Sequence, residues 1–392
     1  PFMKAVGIIV EYNPFHAGHA FHLDQAKQLS QADVVIAVLS PNFVQRGEPA
    51  IVDKATRTEM ALQAGVDLVV ELPTIYALEH ADLFAYGAVH LLHALQVSSI
   101  VFGSETGTTE AFLARFNKMA LCSPRTDELL HEYLKQGYGY PRAKALAMEE
   151  VHQFHLETPN DILGYAYYKV ILKDQLQIPI HTISRQPFEE HEVFLTDQQL
   201  PSAKAVRYAL IHHLSLGQAM PIAFPTSNIR YASWDDFFPF LQHRLLTSTP
   251  AELREIHLMS EGLEYLLIQA AQESNHYHEM IQRCVSKRYS AARLNRTLLH
   301  VLLNTNRHDA QKWLQSPPPY IRPLGMNEKG QAYLHQIRKN LPIPILARFS
   351  KNAPELLQYE KRASDVYCSI FPREQQDLLR RQELYIFPIR KV

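Results

Sequence analysis

The sequence contains little cysteine and no long apolar segment. Three of its 392 residues are cysteines, Cys122, Cys284 and Cys368, and an odd, widely spaced set excludes a disulfide framework and favours a reducing compartment. No apolar run reaches the roughly 18–20 residues that span a bilayer. The first residues do not resemble a signal peptide, because the acidic Glu11 and polar residues follow directly. These absences predict a cytoplasmic protein that does not bind a membrane.

The chain does contain enough apolar residues for more than one core. Hydrophobic residues make up 46% and charged residues 20%, and this length is typical of two domains. Residues 1–205 carry 15 Lys and Arg against 24 Asp and Glu, whereas residues 206–392 carry 24 against 16. Such asymmetry is typical of a catalytic half joined to a half that binds a polyanion. It is equally typical of two domains whose charges complement each other, so charge leaves both interpretations open.

Strands alternate with helices along the first half. Continuous apolar runs predict buried parallel strands, and the helical periodicity between them predicts βαβ units in a doubly wound sheet. The predicted strands are Ala5 to Val10, Ala32 to Leu39, Val66 to Leu72, Ser99 to Phe102 and Ile178 to Ile183, with helices at about Gly18 to Leu29 and Leu78 to Leu95. Ligands of such sheets bind beyond the carboxyl ends of the strands, so chemistry is expected after Val10, Leu39, Phe102 and Ile183.

The predicted fold class is α/β, with two regions. A Rossmann-like domain with a parallel sheet is expected over residues 3–210, with a helical insert at about 106–175. A mainly helical, basic region is expected over residues 211–392, because apolar residues recur at helical spacing between residues 251 and 304. Two short segments of this region, Ile343 to Phe349 and Leu384 to Ile389, are strand-like.

The most informative segment directly follows the first strand and reads Glu11-Tyr12-Asn13-Pro14-Phe15-His16-Ala17-Gly18-His19. Asn-Pro makes a turn, and Gly18 lets the backbone approach a ligand closely. His16 and His19 then stand three residues apart at a helix N-terminus, where free amide groups and the helix dipole favour a phosphate. Two imidazoles there can donate hydrogen bonds to phosphoryl oxygens as their charge grows. A metal site is the weaker alternative, since no obvious third ligand lies nearby in the sequence.

This segment resembles the H-x-G-H signature of the nucleotidyltransferase superfamily, whose members bind ATP on a Rossmann-like sheet and attack its α-phosphate. The longer string from Gly7 to His19 resembles, more specifically, the bacterial tRNA(Met) cytidine acetate ligase family. The resemblance continues at Asn42 to Pro49, Phe102 to Glu105, Pro159 to Leu163, Lys287 to Tyr289 and Tyr320 to Gly325. It implies a ligase that activates acetate with ATP to acetyl-adenylate and then acetylates the exocyclic amine of the wobble cytidine in elongator tRNA(Met). The implied partners are that tRNA and acetate, without DNA.

The resemblance also implies which residues bind ATP. His16 and His19 are implied as catalytic, and Mg²⁺ is expected with the nucleotide because pyrophosphate leaves; no side chain is assigned as a metal ligand. The implied ATP-binding residues are Ile9, Val10, Glu11, Tyr12, Asn13, Pro14, Phe15, His16, Ala17, Gly18, His19, Ala20, Phe21, His22, Gly103, Asn160 and Arg185. Apart from the resemblance, Gly103 is equally well a strand-end glycine, Asn160 a helix N-cap and Arg185 a solvated surface residue.

Two further segments are candidates for the same site. Ser202 is expected to cap a helix that carries Arg207, in a turn that resembles the superfamily's second signature. Alanine and lysine stand where that signature often has hydroxyls, which leaves the role of Lys204 open. Gln45, Arg46 and Lys54 follow the second strand at the same functional edge, and Arg46 or Lys54 is a candidate to steer acetate or the wobble nucleotide.

A basic stretch in the second half is the candidate RNA contact. It comprises Arg283, Lys287, Arg288, Arg293 and Arg296, with Tyr289 among them. On one helix, positions 289, 293 and 296 would share a face, and arginines beside an aromatic ring suit RNA phosphates and unstacked bases. A solvated helix face is the alternative, and the positive charge of the second half favours RNA.

Two other functions share some of these features. A small-molecule adenylyltransferase of coenzyme or nucleotide biosynthesis would have the same first half, but it would leave the basic second half unexplained. A non-catalytic RNA-binding protein with a vestigial nucleotide site would be expected to have lost the histidine pair, which is intact here.

Overall fold

The protein is described from a computed structural model, over residues 2–120, 124–152, 158–185, 202–216, 219–221, 230–350 and 352–391. Its strands are β1 Ala5–Val10, β2 Val34–Leu39, β3 Phe43–Val44, β4 Glu48–Pro49, β5 Leu68–Glu71, β6 Ser99–Ser104, β7 Ile180–Ser184, β8 Pro323–Met326 and β9 Ile389–Arg390. Its helices are α1 Ala17–Ser30, α2 Lys54–Ala64, α3 Thr74–Ala77, α4 Ala81–Ala94, α5 Thr109–Ala120, α6 Pro124–Lys135, α7 Tyr140–His152, α8 Pro159–Lys173, α9 Ala203–Ile211, α10 Trp234–Thr247, α11 Pro250–Arg254, α12 Leu263–Glu273, α13 Tyr277–Cys284, α14 Ala291–Leu302, α15 Arg307–Leu314, α16 Glu328–Ile337, α17 Glu355–Cys368 and α18 Arg373–Arg381. Within the described residues, no helix combines the length and apolarity needed to cross a membrane.

One seven-stranded sheet organises the fold, in the order β7-β6-β1-β2-β5-β8-β9. The strands from β7 to β5 are all parallel, which confirms the predicted parallel α/β sheet. The chain passes from β1 to β2 on one side and later enters β6 on the other side of β1. The strand order therefore reverses between β1 and β6, and their carboxyl ends flank the crevice where such sheets bind ligands.

The apolar runs of the strands are explained by two cores, one on each face of the sheet. In β2, Val34, Ile36 and Val38 belong to the core that includes α4 and α8. Val35, Ala37 and Leu39 point to the opposite core, which includes α1 and α2. Successive strand residues face opposite sides, so a strand covered on both faces must be apolar at every position.

The sheet continues across residue 210. The strand β8 pairs antiparallel with β5, and β9 pairs parallel with β8, so the second half supplies one edge of the sheet. The division into residues 3–210 and 211–392 stays a prediction. The strand predicted at Ile343 to Phe349 is wrong, because this segment makes only one isolated bridge, from Ile345 to Ile321. The one predicted at Leu384 to Ile389 is largely wrong, since residues 382–386 form a π-helical turn before β9.

A buried ion network joins the two halves at this edge. Arg322 Nη1 lies 3.0 Å from Glu71 and 2.7 Å from Glu383. Lys54, whose side chain is 2% exposed, contacts Glu71 and lies 2.9 Å from Glu383. Although burial opposes it, Arg322 and Lys54 lower the pKa of Glu383 to about 2. The candidate role of Lys54 in steering acetate or the wobble nucleotide is therefore wrong, because its ammonium group is buried and paired with Glu71 and Glu383.

Candidate active site

The histidine pair forms the cap of α1. His16 is the N-cap residue, and its Nδ1 accepts a hydrogen bond of 3.1 Å from the amide of Gly18. The Nδ1 of His19 accepts one of 3.3 Å from the amide of His16. An imidazole that accepts at Nδ1 while neutral must carry its proton on Nε2. This reciprocal capping box therefore fixes both rings as Nε2–H donors.

The capping also uses amide groups that the sequence predicts to be free. The Gly18 amide donates to His16, and the amides of His19 and Ala20 donate to the carbonyl of His16. At this helix end the imidazole Nε2–H groups, rather than these backbone amides, are therefore available to donate to a ligand. The two rings stack at a centroid distance of 3.8 Å, so the ring of His16 packs against that of His19 and helps to fix its orientation.

The environment keeps these histidines neutral. Burial, with Arg185 and Arg207 nearby, lowers the pKa of His16 to about 3. Burial, with His16 and Arg185, holds the pKa of His19 well below its ordinary value. Burial and Arg185 lower the pKa of His22 to about 3. Neutral Nε2–H groups beside two arginines present a positive electrostatic site without an imidazolium charge.

A cleft with a volume of about 180 Å³ opens at the β1–β6 reversal, and we call it the switch-point cleft. It is lined by Ile9, Val10, Glu11, Tyr12, Asn13, His19, His22, Phe102, Gly103, Asn160, Leu163, Tyr167, Arg185, Ala203 and Arg207. The predicted residues Pro14, Phe15, His16, Ala17, Gly18, Ala20 and Phe21 do not line it. Phe15 lies in the core, and Phe21 is 44% exposed. The structure thus brings ten of the predicted ATP-binding residues together around one cleft.

Gly103 leaves room for the side chain of Arg185. A Cβ atom at Gly103 would lie 2.8 Å from Arg185 Nε and 2.9 Å from its Cδ. Arg185 follows β7, and its amide donates to the carbonyl of Ser104, which keeps it beside the end of β6. The missing side chain at position 103 therefore lets the guanidinium group cross the strand end and reach the cleft.

Asn160 lies on α8 but does not cap it. The N-cap is Thr158, with Pro159 as the first helical residue, so the N-cap interpretation of Asn160 is wrong. Its Nδ2 donates to Glu105 Oε1 at 2.7 Å, which holds the side chain at the mouth of the cleft. Leu163 and Tyr167, which the sequence did not single out, share this helix face with Asn160 at spacings of three and seven residues. In the sequence, this helical spacing from Asn160 is the signal that could have identified Leu163 and Tyr167.

Arg207 joins the cleft from α9. Ser202 caps this helix by accepting from the amide of Ala205 at 3.1 Å, as predicted. Arg207 donates to the carbonyl of Asn13 at 3.0 Å and lies 3.7 Å from Glu48. Lys204 is exposed and does not line the cleft.

Arg57 positions the two loops of the cleft, and the sequence did not identify it. This fully buried arginine donates to the carbonyl oxygens of Glu11 and Ser40, each at 2.8 Å, and also to that of Pro41. It therefore ties the end of β1 to the end of β2. An arginine that satisfies backbone carbonyls has no sequence pattern, so only the structure reveals it.

The basic stretch is not one helix. The helix α13 ends at Cys284, and α14 begins at Ala291 with Ser290 as its N-cap. Tyr289 is buried in the intervening turn, so the predicted shared face of residues 289, 293 and 296 is wrong. Arg283 forms ion pairs with two glutamates, each at 3.0 Å, whereas Arg288 is exposed. Arg296 is buried, and its Nη1 lies 3.2 Å from the carbonyl of Gln45.

Comparisons with known proteins agree with this architecture. The family model HIGH Nucleotidyl Transferase matches residues 3–382. A tRNA(Met) cytidine acetate ligase of Geobacillus sp. (strain WCH70) is 39% identical over 403 aligned residues, covering 99% of this chain and 100% of the relative. The crystal structure of Thermotoga maritima TmcAL (apo, form I) has a TM-score of 0.90 at 32% identity, covering 99% and 100%. The structure of Thermotoga maritima TmcAL bound with alpha-thio ATP has a TM-score of 0.86 at 32% identity, covering 95% and 96%.

Proposed function

Because this chain belongs to the HIGH nucleotidyltransferase family and, within it, to the tRNA(Met) cytidine acetate ligases, we propose that it activates acetate with ATP and transfers the acetyl group to the exocyclic amine of the wobble cytidine in elongator tRNA(Met). Membership of this family confirms the resemblance recognised in the sequence. The single observation that supports the chemistry is the switch-point cleft, where neutral histidine donors and two arginines meet at the carboxyl ends of β1 and β6.

In the first step an acetate oxygen attacks the α-phosphorus of ATP and pyrophosphate leaves. His19 borders the cleft, and its Nε2–H group donates to a phosphoryl oxygen whose negative charge grows in the transition state. Arg185 and Arg207 line the same cleft and hold the triphosphate. Positioning and charge stabilisation suffice for this step, so no side-chain nucleophile takes part.

Mg²⁺ accompanies the nucleotide in this proposal. Phosphate oxygens and water would supply most of its ligands, as is usual for nucleotide-bound magnesium, and the ion would neutralise the charge of the leaving pyrophosphate. Glu11 is the carboxylate among the residues that line the cleft, so the donor set is suited to one additional ligand at this position. Its Oε1 accepts from the amide of Gln45 at 2.8 Å, which holds the carboxylate in place.

In the second step the cytidine amine attacks the acetyl carbonyl of the adenylate. A carbon–nitrogen bond forms, the bond to the phosphate oxygen breaks, and AMP leaves while the amine loses a proton. The exocyclic amine is a weak nucleophile, so the base must be splayed from its stack and held beside the mixed anhydride.

Labelled acetate tests the proposal. The purified full chain is incubated with ATP, Mg²⁺ and radiolabelled acetate, first without RNA and then with a tRNA(Met) transcript. We expect acetyl-adenylate on thin-layer plates without RNA, because the residues of the cleft lie before residue 210. When tRNA is added, the label should move to the RNA.

A transcript with uridine at the wobble position is the matched control, because it lacks the exocyclic amine and keeps the rest of the tRNA. Equal labelling of both transcripts would contradict the proposal, and so would pyrophosphate release that does not depend on acetate. Formation of acetyl-adenylate only in the presence of tRNA would instead show that RNA completes the active site.

A further inference from the structure

A second cavity lies beside the cleft, at the junction of the helical insert and the second half of the chain. It has a volume of about 400 Å³, and we call it the arginine cavity because Arg293, Arg296 and Arg307 line it. Glu79 and His80, between α3 and α4, form one wall, and Tyr140 at the start of α7 lies at the rim with 37% of its surface exposed. Three separate parts of the chain therefore enclose one positively charged space.

The arginines of this cavity have few partners. Arg296 is only 7% exposed, and its Nε has no hydrogen-bond partner within the described part of the chain. Arg293 Nη2 lies 3.4 Å from Ser260 Oγ, and Arg307 donates to the carbonyl of Met259. Across the residues that the structure describes, none of the three forms an ion pair with a carboxylate. A buried, incompletely bonded guanidinium group is costly unless an anion completes it.

Glu79, the carboxylate among the residues that line the cavity, offsets the charge of Arg296 at longer range but forms no ion pair with it among the described residues. Glu79 hydrogen-bonds His257 through its carboxylate. His300 lies close by and is fully buried. These three side chains place ligand-type atoms within 4.8 Å of one another. Burial, His257 and Arg296 hold the pKa of His300 well below its ordinary value, and the same Arg296 charge opposes a cation there.

Gln45 connects the arginine cavity to the switch-point cleft. Its amide donates to Glu11 of the cleft at 2.8 Å. Its side chain donates to the carbonyl of Glu79 at 3.1 Å, and its carbonyl accepts from Arg296 at 3.2 Å. One residue therefore contacts the wall of both spaces, and an anion held by Arg296 would lie close to the cleft.

We propose that the arginine cavity binds a backbone phosphate of the acceptor tRNA and so presents the wobble cytidine to the neighbouring cleft. This inference rests on the proposed function, since it assigns a site to the substrate of the second step. RNA is favoured over a free anion because the cavity opens beside aromatic side chains. Tyr140 is exposed at the rim, and Lys287 Nζ lies 3.6 Å from the ring centre of the adjacent Tyr138. The exposed ring of Tyr140, and the lysine beside the half-buried ring of Tyr138, suit unstacked bases of an anticodon loop.

Arg293→Gln tests the proposal. Affinity for a tRNA(Met) transcript is measured by fluorescence anisotropy at several salt concentrations. Loss of one phosphate contact to single-stranded RNA should lower the slope of log affinity against log salt by about 0.7. We expect that decrease together with an affinity loss of roughly tenfold. Arg293→Lys keeps the charge and should retain most of the slope, and circular dichroism verifies that each variant is folded.

Arg283→Gln is the matched control, because Arg283 is in the same basic stretch but is ion-paired with Glu273 and Glu279; its slope should equal that of the wild type. Unchanged affinity and slope in folded Arg293→Gln would overturn the proposal. So would a change confined to pyrophosphate or ATP kinetics without tRNA, since the cavity would then hold a free anion. If the wild-type protein itself did not bind or acetylate tRNA(Met), the proposed function would fail instead.

Discussion

Replacing Gly103 with alanine should remove Arg185 from the switch-point cleft. The new Cβ would lie 2.8 Å from Arg185 Nε and 2.9 Å from Cδ, closer than carbon and nitrogen atoms can approach without displacement. The obstructed atoms belong to a flexible side chain, whereas the backbone of Gly103 does not have a positive φ. The arginine should therefore move while the strand stays in place, so unfolding stability should change little.

The magnitude follows from the contact that is lost. A hydrogen bond to a charged group contributes about 1.5–3 kcal/mol, and every 1.4 kcal/mol is tenfold in affinity. If Arg185 contacts the triphosphate, Gly103→Ala should weaken ATP binding by roughly tenfold to a hundredfold. Isothermal titration calorimetry with a non-hydrolysable ATP analogue measures this, and thermal unfolding measures stability in parallel.

A double-mutant cycle shows whether Gly103 acts through Arg185. Arg185→Ala removes the contact directly, so adding Gly103→Ala to it should cost almost nothing further. Strong non-additivity is expected of residues that share one interaction. Two independent, additive losses would refute the reasoning, because Gly103 would then contact the nucleotide by itself. Normal ATP affinity of Gly103→Ala alone would refute it equally.

Three further predictions concern the histidines and the buried ion network. His19→Ala should lower the turnover number for acetyl-adenylate formation about a hundredfold or more, with a smaller effect on ATP affinity. Stopped-flow kinetics at saturating ATP measure this rate, and a rate near that of the wild type would contradict the prediction. Because the pKa of His16 is about 3 in the folded protein and about 6.5 unfolded, the unfolded chain binds more protons between these values. The free energy of unfolding, measured with urea, should therefore fall as the pH drops below about 6.5, and it should fall less steeply in His16→Gln. Equal dependence on pH in the variant and the wild type would count against burial of a neutral ring. Lys54→Met should lower the free energy of unfolding by about 3–5 kcal/mol, because Glu383 and Glu71 lose a buried partner. Lys204→Met, at an exposed position, is the control. A loss of stability as small as that of the control would show that the network is not stabilising.

The five parallel strands of the first half could be predicted because their burial has a direct sequence signature. Residues of β2 alternate between two cores, so six consecutive apolar residues were required. The last two strands of the sheet, β8 and the edge strand β9, are short, with four and two residues. They pair with segments far away in the sequence. A short strand whose partner is distant has no periodicity of its own, which is why β8 is not predicted and the strand-like segment Leu384 to Ile389 overlaps β9 only at Ile389.

The candidate site was predictable where one local segment builds it. The histidine pair, the turn before it and the helix that it caps all lie between Glu11 and Ser30. The burial of Lys54 and Arg296 could not be predicted, because a charged residue in a polar stretch is normally solvated, while their burial depends on contacts with distant elements. Arg57 was not identified from the sequence because its burial also depends on contacts with distant elements. Sequence reasoning thus identified the segment that lines the candidate site, but not the buried charges that position it.

Gly47 shows how such distant contacts are encoded. Its φ of 78° is a conformation that favours glycine, and a Cβ atom would lie 2.4 Å from the amide nitrogen of Arg296. The loop around Gln45 can therefore pack directly against α14, and Trp234 Nε1 donates to the Gly47 carbonyl at 2.9 Å to fix it there. Two of the three links that Gln45 makes between the cleft and the arginine cavity use its backbone. The residue that joins the two spaces is thus specified less by its own side chain than by the glycine two positions later, which permits the approach.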